Sequence, residues 1–135
     1  MAGWASGSFE NDNAQAWLPQ LTSLSVEDLQ PLLSRAADNP DYLEAPESSI
    51  AVAAAEAVAA LKGAPPTDLP KEIADWVREA RSNSKDDSIP ALASLAVRAI
   101  QRVRTNSELK DLWLEADGLN EWSANLRDLE KRLAD

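Results

Sequence analysis

An alanine-rich stretch between two helix-boundary signals constrains the fold of this chain more than any other feature. It reads Ala51-Val-Ala-Ala-Ala-Glu-Ala-Val-Ala-Ala-Leu61, with Pro46 ahead of it and Gly63 behind it. Proline suits the first turn of a helix, and glycine suits the position just after its last turn. Because a helix that is apolar all round is normally enclosed by protein, the stretch predicts a buried central helix at about 46–62.

Apolar residues recur at helical spacing along the rest of the chain, without strand-like alternation. Further helices are predicted at about 12–21, 25–38, 70–81, 88–104, 107–116 and 121–133. The 135 residues are enough for one domain that buries roughly 65–70% of its unfolded surface. We therefore expect an all-α fold, a single compact domain over residues 1–135 with six to seven helices around the Ala-rich one.

Several residues mark predicted helix ends. Ser25 and Asp28 have the spacing of a weak capping box, and Pro31 indicates an irregular first turn in the second helix. Asn120 is the predicted N-cap of the last helix. Thr105-Asn106 is either a kink or a break between the fifth and sixth helices.

The aromatic side chains fall into two groups along the chain. Three of the seven fall in the first seventeen residues: Trp4, Phe9 and Trp17. Rings of this size are costly to leave in water, so we expect this segment to pack against the body. Three more occupy apolar stripes of the predicted helices: Trp76, Trp113 and Trp122. We interpret these as core residues, and the alternative is an exposed binding patch.

The composition excludes several classes of chemistry. The chain has no cysteine and no histidine, which removes thiolates, disulfides and the commonest general base and zinc ligand. The four glycines form no phosphate- or dinucleotide-binding pattern, so we expect no cofactor. Neither a membrane span nor a signal peptide is visible, and we expect a cytoplasmic protein.

The net charge of −10 is unevenly distributed. Residues 1–50 hold eight acids and one base, a net of −7, and the remainder holds fifteen acids and twelve bases, a net of −3. Such a field repels nucleic acid and anionic membranes and favours a basic protein partner; the alternative is a role in solubility alone. The candidate partner-binding residues are Glu10, Asp12, Asp41, Glu44 and Glu47. Nothing in the sequence indicates an oligomeric state.

Glu56 is the one charged residue in the alanine-rich stretch. An ionised carboxylate there is costly without a partner, and Arg98 and Arg102 on the fifth helix could supply one. A buried ion pair that fixes helix register is the structural interpretation. The alternatives are a catalytic acid with a raised pKa, or a side chain that reaches solvent.

Asp41, Glu44 and Glu47 could in principle bind Mg²⁺ or Ca²⁺ through oxygen ligands. The segment 38–44 lacks the glycine and the ligand ladder of an EF-hand loop. Acids at the start of a helix are also expected from its dipole. We therefore expect no metal site.

Several motifs together resemble a family of bacterial proteins known as domain of unknown function family 4259. They are Gly3-Trp4, Gly7-Ser-Phe9-Glu-Asn-Asp12 with Ala14 and Trp17, Asp41-Tyr-Leu-Glu-Ala45, Ala54-Ala-Glu56-Ala-Val58 ahead of Leu61 and Gly63, Leu69-Pro70, and Ser107-Glu-Leu-Lys-Asp-Leu-Trp113. Ala5 and Ala16 depart from the family pattern, and Ala16 replaces the usual acid, which weakens any active-site role for the N-terminal motif. The resemblance implies a small helical protein of the bacterial cytoplasm, without an established activity. It places these residues within the family motifs: Glu10, Asn11, Asp12, Glu44, Glu56, Glu108 and Trp113.

Two hypotheses of function follow. The first is a non-catalytic binding or regulatory module, for example an immunity-type protein, that engages a basic protein through an acidic surface of its N-terminal half. The second is a Mg²⁺- or Ca²⁺-binding protein or hydrolase that uses Glu10, Asp12, Glu44 and Glu56. Convergence of three or more acids in one pocket would favour the second, and scattered acids would favour the first.

Overall fold

Residues 12–21, 23–66, 69–83 and 88–134 are described by a computed structural model, with the side chains of residues 12, 13 and 83 excepted. In these ranges the chain forms seven α-helices. They are α1 (Asp12–Leu21), α2 (Leu29–Asp38), α3 (Ala45–Leu61), α4 (Lys71–Asn83), α5 (Ser88–Thr105), α6 (Glu108–Glu115) and α7 (Leu119–Ala134). A short 3-10 turn, Val26–Asp28, precedes α2. The expected all-α architecture is confirmed.

Helix α3 is the hub of the domain, as its alanine-rich sequence predicts. Every residue from 51 to 61 is buried, and α3 packs against each of the other six α-helices. Small side chains let these neighbours approach closely on all sides. The helix ends at Leu61. Gly63, two residues later, has a left-handed φ of 89°, and the N–H of Ala64 is bonded back to the carbonyl of Ala59.

The helix boundaries refine the predicted ones. The 3-10 turn forms the irregular start that Pro31 indicated, and the Asp28 carboxylate accepts a hydrogen bond of 2.9 Å from the Ser25 N–H. Helices α5 and α6 are separated by a clean break, because Ser107 caps α6 by accepting from the Lys110 N–H. The prediction that Asn120 is the N-cap of the last helix is wrong. Helix α7 already begins at Leu119, so Asn120 lies inside its first turn.

The tryptophans of the described helices are core residues. Trp17, Trp76, Trp113 and Trp122 are all buried, as predicted. Gly118 leaves the space that the Trp113 ring occupies, because a methyl group on Gly118 would lie 2.6 Å from a ring carbon. Four residues to which the sequence assigns roles lie outside the described residues: Trp4, Phe9, Glu10 and Asn11.

No helix in the described part of the chain combines the length and the apolar character that a membrane crossing requires.

Candidate functional site

Glu56 lies in a buried ion pair on the inner surface of α3. Its residue exposure is 1%, and both of its carboxylate oxygens accept from Arg132 on α7. Nη1 of Arg132 lies 2.8 Å from Oε1 of Glu56, and Nη2 lies 3.3 Å from Oε2. This two-pronged geometry is the strong form of a carboxylate–guanidinium contact. The only carboxylate within the buried centre of α3 therefore has a cationic partner.

Arg132 joins three parts of the chain. Besides Glu56, it donates to Asp128 one turn earlier on α7 and to the carbonyl of Ala64 just beyond α3. Burial alone would lower the pKa of Arg132, but the hydrogen bonds and negative charges of Glu56 and Asp128 raise it above the usual value. The guanidinium is therefore held charged, and it ties the last turns of α7 to α3.

Arg98 and Arg102, the expected partners of Glu56, have other contacts, and the predicted pairing is wrong. Arg98 forms an exposed ion pair with Asp38. Arg102 donates to the carbonyls of Asn39 and Asp41 at 2.5 and 2.6 Å. Because both arginines point towards the loop between α2 and α3, the cation that meets Glu56 comes from α7 instead.

The loop of residues 39–44 is fixed from two sides. Arg102 holds its first carbonyls, and the backbone N–H of Glu108 donates to the carbonyl of Leu43 at 2.8 Å. The Glu108 carboxylate accepts from the N–H of Ala45 at 2.7 Å, at the first residue of α3. A carboxylate in this position satisfies a free helix N–H and complements the helix dipole. The loop backbone is therefore held in one geometry by α5 and α6.

Three of the candidate partner-binding residues lie in this loop or in the first turn after it: Asp41, Glu44 and Glu47, which we call the acidic rim. Asp41 and Glu44 are exposed, and Glu47 is half-buried. None of their carboxylates forms an ion pair with another described residue. Of the other two candidates, Glu10 lies outside the described residues, as does the side chain of Asp12. The acidic rim thus presents carboxylates without an ion-pair partner among the described residues, on a backbone that is itself bound by a cation, Arg102.

An aromatic residue lies in the middle of this acidic surface. Tyr42 is 53% exposed, and its hydroxyl donates to the carboxylate of Asp111 on α6. That hydrogen bond is the largest cause, and it, the desolvation of the hydroxyl, and the charges of Asp111, Glu108 and Glu115 raise the pKa of Tyr42 to about 12. Leu114, 55% exposed, lies on the same helix three residues after Asp111. We call Tyr42, Asp111, Leu114 and Glu115 the Tyr42 patch.

A family model described as Domain of unknown function (DUF4259) matches residues 3–125 of the chain. The chain belongs to this family. Searches of curated proteins and of solved structures find no match. The comparisons therefore establish membership of DUF4259, a family described as a domain of unknown function.

Two segments that carry the resemblance to DUF4259 meet in the structure. Residues 41–45 and 107–113 are joined by the bonds from Glu108 to the loop and by the contact between Tyr42 and Asp111. Arg132, by contrast, lies beyond the part of the chain that the DUF4259 model matches. The clamped loop and the acidic rim are inside the matched region.

Two of the four carboxylates of the second hypothesis, Glu44 and Glu56, lie within the described residues, and these two do not converge. Glu44 precedes α3 and Glu56 lies twelve residues further along, a helical rise of about 18 Å. Among the residues that the structure describes, no three acids are grouped so that they could hold a metal ion. Glu44 and Glu56 are therefore too far apart to ligate the same ion, whereas Glu10 and the side chain of Asp12 lie outside the described residues.

Sequence reasoning did not identify five residues of the surface and of the ion pair as site residues: Tyr42, Asp111, Leu114, Glu115 and Arg132. The sequence does contain an indication of the exposure of Leu114. This leucine does not share the helix face of Leu109, Leu112 and Trp113, which packs against the core. For Arg132, the sequence indicates only a basic residue in the last turn of a helix. Its partner is 76 residues away in sequence, and no local pattern joins the two.

Proposed function

We propose that this DUF4259 protein is a non-catalytic binding module that engages a basic protein through the acidic rim. The observation that carries the proposal is the fixed loop of residues 39–44, which presents carboxylates without cationic partners among the described residues. A regulatory role in the bacterial cytoplasm, for example of the immunity type, is the version that the family resemblance and the acidity favour.

Charge and rigidity both support this proposal. An uncompensated acidic surface raises the rate of encounter with a basic partner and disfavours acidic ones. The hydrogen bonds from Arg102 and Glu108 to the loop reduce the conformational entropy that binding would cost. In this proposal Glu56 has a structural role, because its buried carboxylate is paired with Arg132.

The test compares three forms of the protein as bait in an extract of the source organism. They are the wild type, a rim-neutral variant (Asp41→Asn, Glu44→Gln, Glu47→Gln), and a control with the same charge change on the exposed face of α4 (Glu72→Gln, Asp75→Asn, Glu79→Gln). Captured proteins are identified by mass spectrometry at about 50 and 300 mM salt, because screening weakens exposed charge pairs.

A basic protein held at low salt by the wild type and the α4 control, and lost by the rim-neutral variant, is the expected result. The captured protein is then purified and its affinity for each form measured by calorimetry. Equal affinity for the wild type and the rim-neutral variant would contradict the proposal, and so would a partner that is not basic and is insensitive to salt.

A further inference from the structure

The Tyr42 patch contains the two large apolar side chains that are exposed by more than half in the described structure, Tyr42 and Leu114. They are 72 positions apart in sequence, and the hydrogen bond from Tyr42 to Asp111 brings them to one surface. Asp111 and Leu114 are neighbours on the surface of α6, because residues three apart on a helix lie about 5–6 Å from each other. Exposed apolar groups brought together in this way commonly mark interaction sites.

The surroundings of this apolar pair are negatively charged. Asp41 and Glu44 flank Tyr42 along the loop, and Asp111 and Glu115 flank Leu114 along α6. The charge of Glu115 also reaches the Tyr42 hydroxyl. Lys110 is the one cation on α6, and it is half-buried. An apolar centre with an acidic border complements a partner that is apolar and basic.

The Tyr42 ring is positioned before any partner arrives. Its hydroxyl is bonded to Asp111, and the backbone on either side is held by Arg102 and Glu108. A tyrosine fixed in this way provides contact area with little loss of side-chain entropy. Tyrosine is also among the residues that contribute most to the affinity of protein interfaces.

The geometry points to the Tyr42 patch as the anchoring site for an amphipathic basic segment of the partner. An apolar side chain of that segment packs on Leu114, and a lysine or arginine lies against the Tyr42 ring, where a cation is attracted by the ring face and by Asp111 and Glu115. This inference rests on the proposed function and adds to it the contact point and the kind of segment recognised.

Tyr42 is the only tyrosine of the chain, so it provides a direct test. Protein labelled with 3-fluorotyrosine gives a single ¹⁹F NMR signal at the patch. The probe is a synthetic helical peptide of lysine and leucine with one apolar face, and the reference is a peptide of equal charge in which serine replaces leucine. We expect a saturable shift of the Tyr42 signal with the first peptide and a weaker one with the second.

Matched variants separate the patch from the general acidity. Leu114→Ser removes the apolar contact at an exposed position, and we expect about tenfold weaker binding of the lysine–leucine peptide. Asp111→Asn with Glu115→Gln should weaken binding further at low salt. The control, Glu72→Gln with Glu79→Gln on α4, should change the affinity by less than about twofold. Circular dichroism establishes that each variant is folded.

Three outcomes would overturn the inference. In the first, the peptide binds by calorimetry without moving the Tyr42 signal, which leaves the acidic rim of the proposed function intact. In the second, Leu114→Ser binds as tightly as the wild type. In the third, sedimentation shows a wild-type dimer that Leu114→Ser dissociates, which makes the patch a contact between copies of this chain. Failure of the basic peptide to bind any form, even at low salt, would count against the proposed function as well.

Discussion

The two ends of α3 are held by opposite charges in different surroundings. At the N-terminal end, the carboxylate of Glu108 accepts from the N–H of Ala45 beside an exposed acidic loop. At the C-terminal end, Arg81 donates to the carbonyl of Leu61 and Arg132 donates to that of Ala64. Both arrangements complement the helix dipole, although all three charged side chains come from other helices.

The difference between the ends separates a structural region from a candidate binding region. Of the two arginines at the C-terminal end, the one that reaches the buried centre, Arg132, is matched by Glu56 and Asp128. At the N-terminal end the backbone is equally well fixed, but the carboxylates of Asp41 and Glu44 remain exposed. Matched buried charge holds the fold, whereas fixed and unmatched exposed charge is available to a partner.

Among the variants that test this difference between the two ends, removal of the Glu56 carboxylate should change the free energy of unfolding most. We expect Glu56→Ala to lower the free energy of unfolding by about 3 kcal/mol, because it removes the buried carboxylate that pairs with Arg132 and leaves that guanidinium, among the described residues, only the exposed Asp128 as an ion-pair partner. Urea denaturation and the melting temperature measure the loss. Glu56→Gln, which keeps an acceptor oxygen, should lose less. An unchanged melting temperature in Glu56→Ala would rule out the register role of this residue.

Removal of the Glu108 carboxylate tests the N-terminal end in the same way. Glu108→Ala takes the acceptor from the Ala45 N–H, and we expect a loss of about 1–3 kcal/mol in urea denaturation. Glu108→Gln is the matched control, since its amide oxygen can still accept. Equal stability of Glu108→Ala and the wild type would show that the clamp does not hold this end of α3.

The adjacent serines Ser48 and Ser49 offer a finer comparison within α3. Both are buried, but the Ser48 hydroxyl donates to the carbonyl of Glu44, whereas that of Ser49 has no hydrogen-bond partner in the part of the chain that the structure describes. Replacement of an unsatisfied buried hydroxyl by a methyl group removes a desolvation cost. We therefore expect Ser49→Ala to stabilise the protein by up to about 1 kcal/mol in urea denaturation, and Ser48→Ala to be neutral or destabilising. The reverse order would be evidence against this assignment.

The smallest expected effect concerns the titration of Tyr42, because its hydroxyl stays protonated at neutral pH and changes only at high pH. Absorbance near 295 nm should give a pKa of about 12, and Asp111→Asn should bring it back towards 10. The folded pKa is above the ordinary value, so this contact contributes fully to stability below pH 10 and its contribution is lost as the pH rises to about 12. An identical pKa in Asp111→Asn would show that the Tyr42–Asp111 bond is absent in solution.

The helices and the buried position of α3 could be predicted because their causes are local. Apolar spacing, Pro46 and Gly63 are read within one or two turns of chain, and the observed bounds of α3 differ from the predicted ones by one residue at each end. The burial of Trp76 and Trp122 follows from the same periodicity. Helix propensity and amphipathicity act over the distances that a sequence pattern covers.

The candidate site was predicted only in part. Asp41, Glu44 and Glu47 were identified from the charge of the N-terminal half, but Tyr42 and Leu114 were not. The partner of Glu56 was also assigned to the wrong helix. Which arginine reaches a given carboxylate depends on how far each helix is rotated and shifted against its neighbour, and a single sequence does not encode that relation in any short window.

By itself, the sequence determined that this chain forms helices, that residues 51–61 lie inside, and that the N-terminal half is acidic, because each of these follows from composition or spacing along the chain. The tertiary structure alone decided that Arg132 meets Glu56 and that the loop carrying Tyr42 lies against α6 with its acids. Those contacts join residues more than sixty positions apart, and they exist only because packing around α3 brings the helices together.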